Sequence, residues 1–127
     1  MRWCLQDGSV YADEILDRLL AGDEAHVPVV WLYEVVSVLA RYQQKGTLTA
    51  EKAHGFLEDL RSLEVKVDND GIERIFEEVH RLAMAHTLTG YDAAYLELAI
   101  RKGLPLASLD GDLNKAALTV GVALVKA

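Results

Sequence analysis

Cysteine is nearly absent: Cys4 is the single thiol in 127 residues, so no disulfide can form within the chain. That suits a reducing compartment. Prolines number only two, and no repeat, low-complexity run or linker divides the sequence, which leaves one domain spanning residues 1–127. Long hydrophobic runs are missing too. The longest begins at Val27 and is broken at Glu34, far short of the roughly eighteen apolar residues of a membrane span. With no signal-peptide pattern at its start, the chain is expected to be cytoplasmic and to have no membrane partner. Basic charge is scarce, 13 Lys and Arg against 20 Asp and Glu for a net of −7. This argues against non-specific clamping of nucleic acid through a basic footprint. It leaves room for an enzyme whose bound cations and local basic pairs, such as Arg41 with Lys45 or Arg101 with Lys102, meet a phosphate. His26, His54, His80 and His86 lack zinc spacing, and no phosphate-binding glycine loop occurs.

What is present alternates between two periods. Ser9 can cap a first helix over Val10–Leu20, whose stripe is Ala12, Ile15, Leu16 and Leu19. A strand at Val27–Val30 leads into a helix ending near Gly46, and Thr49 starts another. Val65 and Val67 alternate with charged residues as a half-exposed strand does. Ile72 to Ala83 carries a 3.6-residue period. Thr89–Lys102 is bounded by a cap, a basic last turn, Gly103 and Pro105. A buried strand at Leu104–Leu109, a short helix at Leu113–Val120 and a last strand at Val122–Val125 follow. Such alternation predicts an α/β fold with an open, mostly parallel sheet covered on both faces. Arg2 to Leu5 looks too short, and too close to the first helix, to be the strand that usually opens such folds. A first strand is therefore expected to be absent.

Three acids stand in apolar surroundings: Glu34 in VPVVWLYEVV, Asp92 in TGYDAAYLELAI and Asp110 at the end of LPLASLD. Acidic side chains are rarely buried unless paired or bound to a metal. Two carboxylates about 4 Å apart repel by roughly 4 kcal/mol at an effective dielectric near 20. Converging carboxylates therefore call for a cation, and oxygen ligands select Mg²⁺ or Mn²⁺. In open α/β sheets ligands bind beyond the carboxyl ends of the strands, and that edge can hold all three acids. Each acid also has a plainer explanation. Thr89-x-x-Asp92 fits a capping box, Asp110 could be a turn residue or N-cap, and Glu34 could favour a helix N-terminus. Around them, Ser108 shares a strand face with Asp110, Asp112 could cap the next helix, and Glu97 could serve as a peripheral ligand or pair with Arg101.

The ordered segments PVVWLYEV, TGYDAAYLELA and LPLASLDGDL resemble the PIN domain family, and more closely its VapC-type toxins. The resemblance covers essentially the whole chain. It implies a three-layer α/β/α sandwich and Mg²⁺- or Mn²⁺-dependent endoribonuclease activity on RNA. Glu34, Asp92 and Asp110 would be catalytic metal ligands, with Ser108, Asp112 and Glu97 as a possible secondary shell. It also implies a cognate antitoxin and a homodimer. The family usually opens with a strand ending in Asp, just before a segment resembling Arg2–Asp7. With that acid missing, weaker metal binding and impaired activity are expected. The alternative function is a PIN-like binding module without chemistry. A phospho-accepting receiver-like domain fits less well, since no acidic cluster ends an early strand.

Overall fold

A computed structural model describes residues 2–6, 21–63 and 65–125. The helix expected over Val10–Leu20 lies outside the described residues, as does Asp7. The elements run β1 (Arg2–Leu5), β2 (Glu24–Pro28), α1 (Val29–Gln44), α2 (Ala50–Ser62) and β3 (Val65–Asp68). Then come a 3₁₀ turn (Asp70–Arg74), a π turn (Ile75–Val79), α3 (His80–His86), α4 (Gly90–Lys102), β4 (Leu106–Ala107) and α5 (Gly111–Thr119). The described strands form one parallel sheet in the order β3-β2-β1-β4.

The expectation that Arg2–Leu5 is too short to serve as a strand is therefore corrected. Arg2–Leu5 is a strand, and it lies in the interior of the sheet between β2 and β4. Trp3, Cys4 and Leu5 are all fully buried. Successive strand residues point to opposite faces, so three consecutive buried ones mean that both faces are covered. That is the setting of a parallel strand, which reads as a continuous apolar run without alternation. The brevity that argued against this segment is no obstacle. Register with β2 needs only Arg2 to Cys4, and backbone bonds from Cys4 N–H to Pro105 O (2.8 Å) and Gln6 N–H to Ala107 O (2.9 Å) lace it to β4.

Other boundaries shift for local reasons. The second strand ends at Pro28 rather than Val30, because Pro28, in an extended conformation with φ −73°, is the N-cap from which α1 starts. The expected strand Leu104–Leu109 narrows to Leu106–Ala107, and Val122–Val125 contributes one parallel bridge, Leu106 to Leu124. The periodic run Ile72–Ala83 is helical, but in three pieces, and Ile72, Ile75 and Phe76 are exposed. The signals bounding α4 hold: Thr89 is its N-cap, and Gly103 follows it in the left-handed region at φ +63°.

Helix α4 is the core helix. Ala93, Tyr95, Leu96, Leu98 and Ala99 are buried, as is Glu97. Its carboxyl half is tied to the end of β3 by an ion cluster. The Arg101 guanidinium donates Nε to Glu97 Oε2 at 2.8 Å and Nη2 to Asp68 Oδ2, while Lys102 Nζ lies 4.0 Å from Asp68 Oδ1. Asp68 also accepts from the backbone N–H groups of Asp70 and Gly71 at 3.3 and 3.1 Å. Gly71 packs so closely beneath this cluster that a Cβ there would stand 2.7 Å from Asp68 Oδ2.

Burial alone would raise the Asp68 carboxyl, but the hydrogen bond and charge of Arg101 outweigh it and hold it below its ordinary value. The stability Asp68 contributes is thus complete above the unfolded value of about 3.9 and is lost as pH falls through the depressed folded value. Asp68→Asn should accordingly flatten the loss of stability on acidification below about pH 4, read from urea midpoints. Arg101→Leu removes the cation shared by two buried carboxylates, leaving Lys102 near Asp68 alone, and should cost roughly 3–5 kcal/mol by the same measurement.

Candidate active site

Because the described strands are parallel, their carboxyl ends share one edge, and polar side chains gather there. Gln6 follows β1, Asp68 ends β3, and Ser108 and Asp110 follow β4. Asp92 joins from the first turn of α4.

Gln6 links several of these groups. It is only 5% exposed, and its carboxamide makes contacts in two directions. Nε2 donates to Asp92 Oδ1 over a long 3.5 Å, and Oε1 accepts from Ser108 Oγ at 2.9 Å. Ser108 Oγ in turn accepts from the Asp110 N–H at 3.0 Å. The Asp92 carboxylate and the main-chain N–H of Asp110 are thereby connected through two neutral side chains. The Asp110 carboxylate caps α5, its Oδ1 accepting from Leu113 N–H at 2.9 Å. The plain reading of Asp110 as an N-cap is correct, and it is compatible with a further role. Half of the expected capping box is also made, since Thr89 Oγ1 accepts from the Asp92 N–H at 3.1 Å.

Glu34 lies in the second turn of α1, not the first, because that helix begins at Val29. Half-buried, its Oε1 accepts from the Tyr95 hydroxyl at 2.5 Å. Tyr95 follows Asp92 by three residues on α4, so this bond draws Glu34 towards the helix that carries Asp92.

The secondary candidates separate. Ser108 belongs to the Gln6 bridge. Asp112 is exposed in the first turn of α5, beside a shallow cleft that also includes His86 and Lys115. Glu97 is committed elsewhere: it pairs with Arg101, as one of the two readings expected, but buried rather than exposed. Arg101 is correspondingly engaged by two carboxylates and is not an available phosphate contact. Cys4 is buried in β1, and burial, followed by the charges of Asp68 and Glu97, pushes its thiol far up, so it is no nucleophile. His26 is a buried strand residue paired with Glu24 at 2.7 Å; burial lowers its pKa despite that partner.

Sequence reasoning missed Gln6, Asp68 and Tyr95. The rule that found Asp110, an acid closing an apolar strand, would have found Asp68 at the end of VKV. Gln6 was signalled only as the first polar residue after WCL, and Tyr95 by its place one turn beyond Asp92.

Oxygen donors alone make up this set, which suits a hard divalent cation. Among the described residues, no three carboxylate, imidazole or thiol groups converge as a ready-made cage. Mg²⁺ does not require one, since it keeps several waters and is held by one or two carboxylates.

The PIN domain profile matches residues 3–118, which is nearly the whole chain. This chain is a PIN domain. Within that family it is of the VapC type. It is 31% identical over 90 residues to Ribonuclease VapC3 of Pyrobaculum aerophilum, covering 71% of this chain and 69% of the relative. Ribonuclease VapC3 of Mycobacterium tuberculosis is 35% identical over 97 residues, covering 76% and 68%. The crystal structure of PAE2754 from Pyrobaculum aerophilum superposes with a TM-score of 0.74 at 23% identity, covering 91% of this chain and 79% of that one, and shares its fold. Among the described residues, no helix of the PIN domain is long and apolar enough to cross a membrane.

The cap at Asp110 can be separated from its charge. Asp110→Ala should lower stability by about 1 kcal/mol in urea titrations, while Asp110→Asn, an equally good N-cap, should leave it nearly unchanged.

Proposed function

We propose that this PIN domain is a Mg²⁺- or Mn²⁺-dependent endoribonuclease that hydrolyses RNA phosphodiester bonds in the cytoplasm, slowly because Gln6 supplies an amide at the end of an interior strand. The observation that carries this reading is the bridge Asp92–Gln6–Ser108–Asp110 along the carboxyl edge of the sheet. Two relatives named as ribonucleases support the same chemistry.

A bound divalent cation supplies an acidified water, a polarised phosphoryl oxygen and stabilisation of the leaving oxygen. The protein's part is placement. Asp92, Asp110 and Glu34 offer carboxylate oxygens from three elements, and one of them accepts the proton released as the water oxygen bonds to phosphorus and the ester oxygen departs. Ser108 orients Gln6, whose neutral carboxamide satisfies Asp92 without adding negative charge. The grip on the cation is weaker than a further carboxylate would give, and the work of holding it falls to fewer acids.

The same amide favours a second reading, a PIN-like module that binds without chemistry. Cleavage of a mixed RNA pool in Mn²⁺, with and without chelator, decides between them. Chelator should abolish cleavage, Asp92→Asn should slow it by about 10²–10⁴-fold, and Gln6→Asp should lower the Mn²⁺ concentration needed. Silence of both the wild-type chain and Gln6→Asp would leave the binding module.

Protein partners are also part of the proposal. A broad apolar groove of about 820 Å³ runs between the π turn, α3 and α4, lined by Val30, Ile75, Phe76, Val79, Ala83 and Tyr91 among others. Phe76 is 94% exposed and Tyr91 66%, more open apolar surface than a solitary domain usually keeps. We assign this face to a homodimer, and the carboxyl edge to RNA and to a cognate antitoxin that would block it. Phe76→Glu should shift the chain from dimer to monomer in light scattering. An unchanged mass would remove this face from the interface.

A further inference from the structure

Tyr95 has entered so far only as the partner of Glu34, yet its position is unusual for a core aromatic. Its side chain lies at 0% exposure in the helix that carries Asp92, and its hydroxyl reaches across to α1. A buried phenol needs a partner, and here the partner is one of the three candidate ligands. The hydroxyl donates to Glu34 Oε1 at 2.5 Å. The main chain of Tyr95 is held as well, its carbonyl accepting from Cys4 Sγ at 3.5 Å in β1. Tyr95 thus meets β1 through its main chain and α1 through its hydroxyl, and these two elements with α4 carry Gln6, Glu34 and Asp92.

We infer that Tyr95 is a positioning residue, whose hydroxyl fixes the orientation in which the Glu34 carboxylate would hold a divalent cation. This deepens the metal-dependent reading and rests on it. Tyr95 itself touches neither metal nor RNA. Its influence on Glu34 passes through their hydrogen bond, and a phenylalanine would keep the packing while deleting that bond. Partners that orient ligands in this way typically change metal affinity by about 10–100-fold when removed.

The test is calorimetric titration of the full chain with Mn²⁺ alone, using the wild type, Tyr95→Phe, Glu34→Gln and the double variant, each checked for cooperative thermal unfolding. Tyr95→Phe should weaken Mn²⁺ binding about tenfold. The double variant should bind no more weakly than Glu34→Gln, because both changes remove the same interaction. In RNA cleavage, Tyr95→Phe should lower kcat with little change in KM. Wild-type-like Mn²⁺ affinity in Tyr95→Phe, or losses that simply multiply in the double variant, would overturn the role of Tyr95 and spare the nuclease reading. A wild-type chain that takes up no Mn²⁺ would overturn both. Should Tyr95→Phe fail to fold, tyrosine absorption carries the test: Mn²⁺ should perturb it in the wild type and not in Glu34→Gln, and equal responses would overturn the inference.

Discussion

The insertion of four residues, Arg2–Leu5, between β2 and β4 is the constraint on which the remainder depends. A parallel strand in the interior of a sheet must satisfy backbone groups on two sides at once and bury side chains on both faces. Trp3, Cys4 and Leu5 meet that demand because none carries a charge that would need water. Once this strand is placed, its register delivers Gln6 to the carboxyl edge, where β4 releases Ser108. The first turn of α4 brings Asp92 to the same amide. The site is therefore a consequence of where an interior strand stops.

Two polar systems serve the edge, and they differ in kind. At the end of β3, full charges compensate one another: Asp68 and Glu97 share Arg101, and little of the cluster meets solvent. Around Asp92, Asp110 and Glu34, an amide, a hydroxyl, a phenol and backbone N–H donors take part. The first arrangement is electrically closed, and it anchors the carboxyl half of α4. The second is built on neutral groups, the Gln6 amide, the Ser108 hydroxyl and the Tyr95 phenol. Helix α4 belongs to both, with Asp92 near one end and Arg101 near the other.

Much of this was legible in the sequence because it depends on short-range chemistry. Thr89, Gly103 and the basic last turn bounded α4 correctly, since caps act within a few residues. Thr49 likewise marked the start of α2. Asp110 was found because an ionisable group at the end of an apolar run is conspicuous. What failed was whatever needed tertiary partners. Arg2–Leu5 carries no alternation to announce a strand, and its identity lies in the neighbours it pairs with. Glu97 gave a correct i,i+4 partner in Arg101, but only the fold supplies Asp68 to bury them both. The run from Ile72 to Ala83 had helical period, yet period cannot tell a core stripe from one left exposed, and Phe76 proved to be exposed.

The lone thiol has a use of its own. Cys4 sits in the strand that organises the sheet, wholly buried and with its ionisation strongly disfavoured. An alkylating reagent attacks the thiolate, so the folded protein presents nothing to react with. Labelling requires that β1 leave its neighbours, and the rate of modification becomes a clock for that event. Being the single cysteine of the chain, it gives an unambiguous signal. The molecule thus carries a built-in reporter, at native sequence, of how often its interior strand opens.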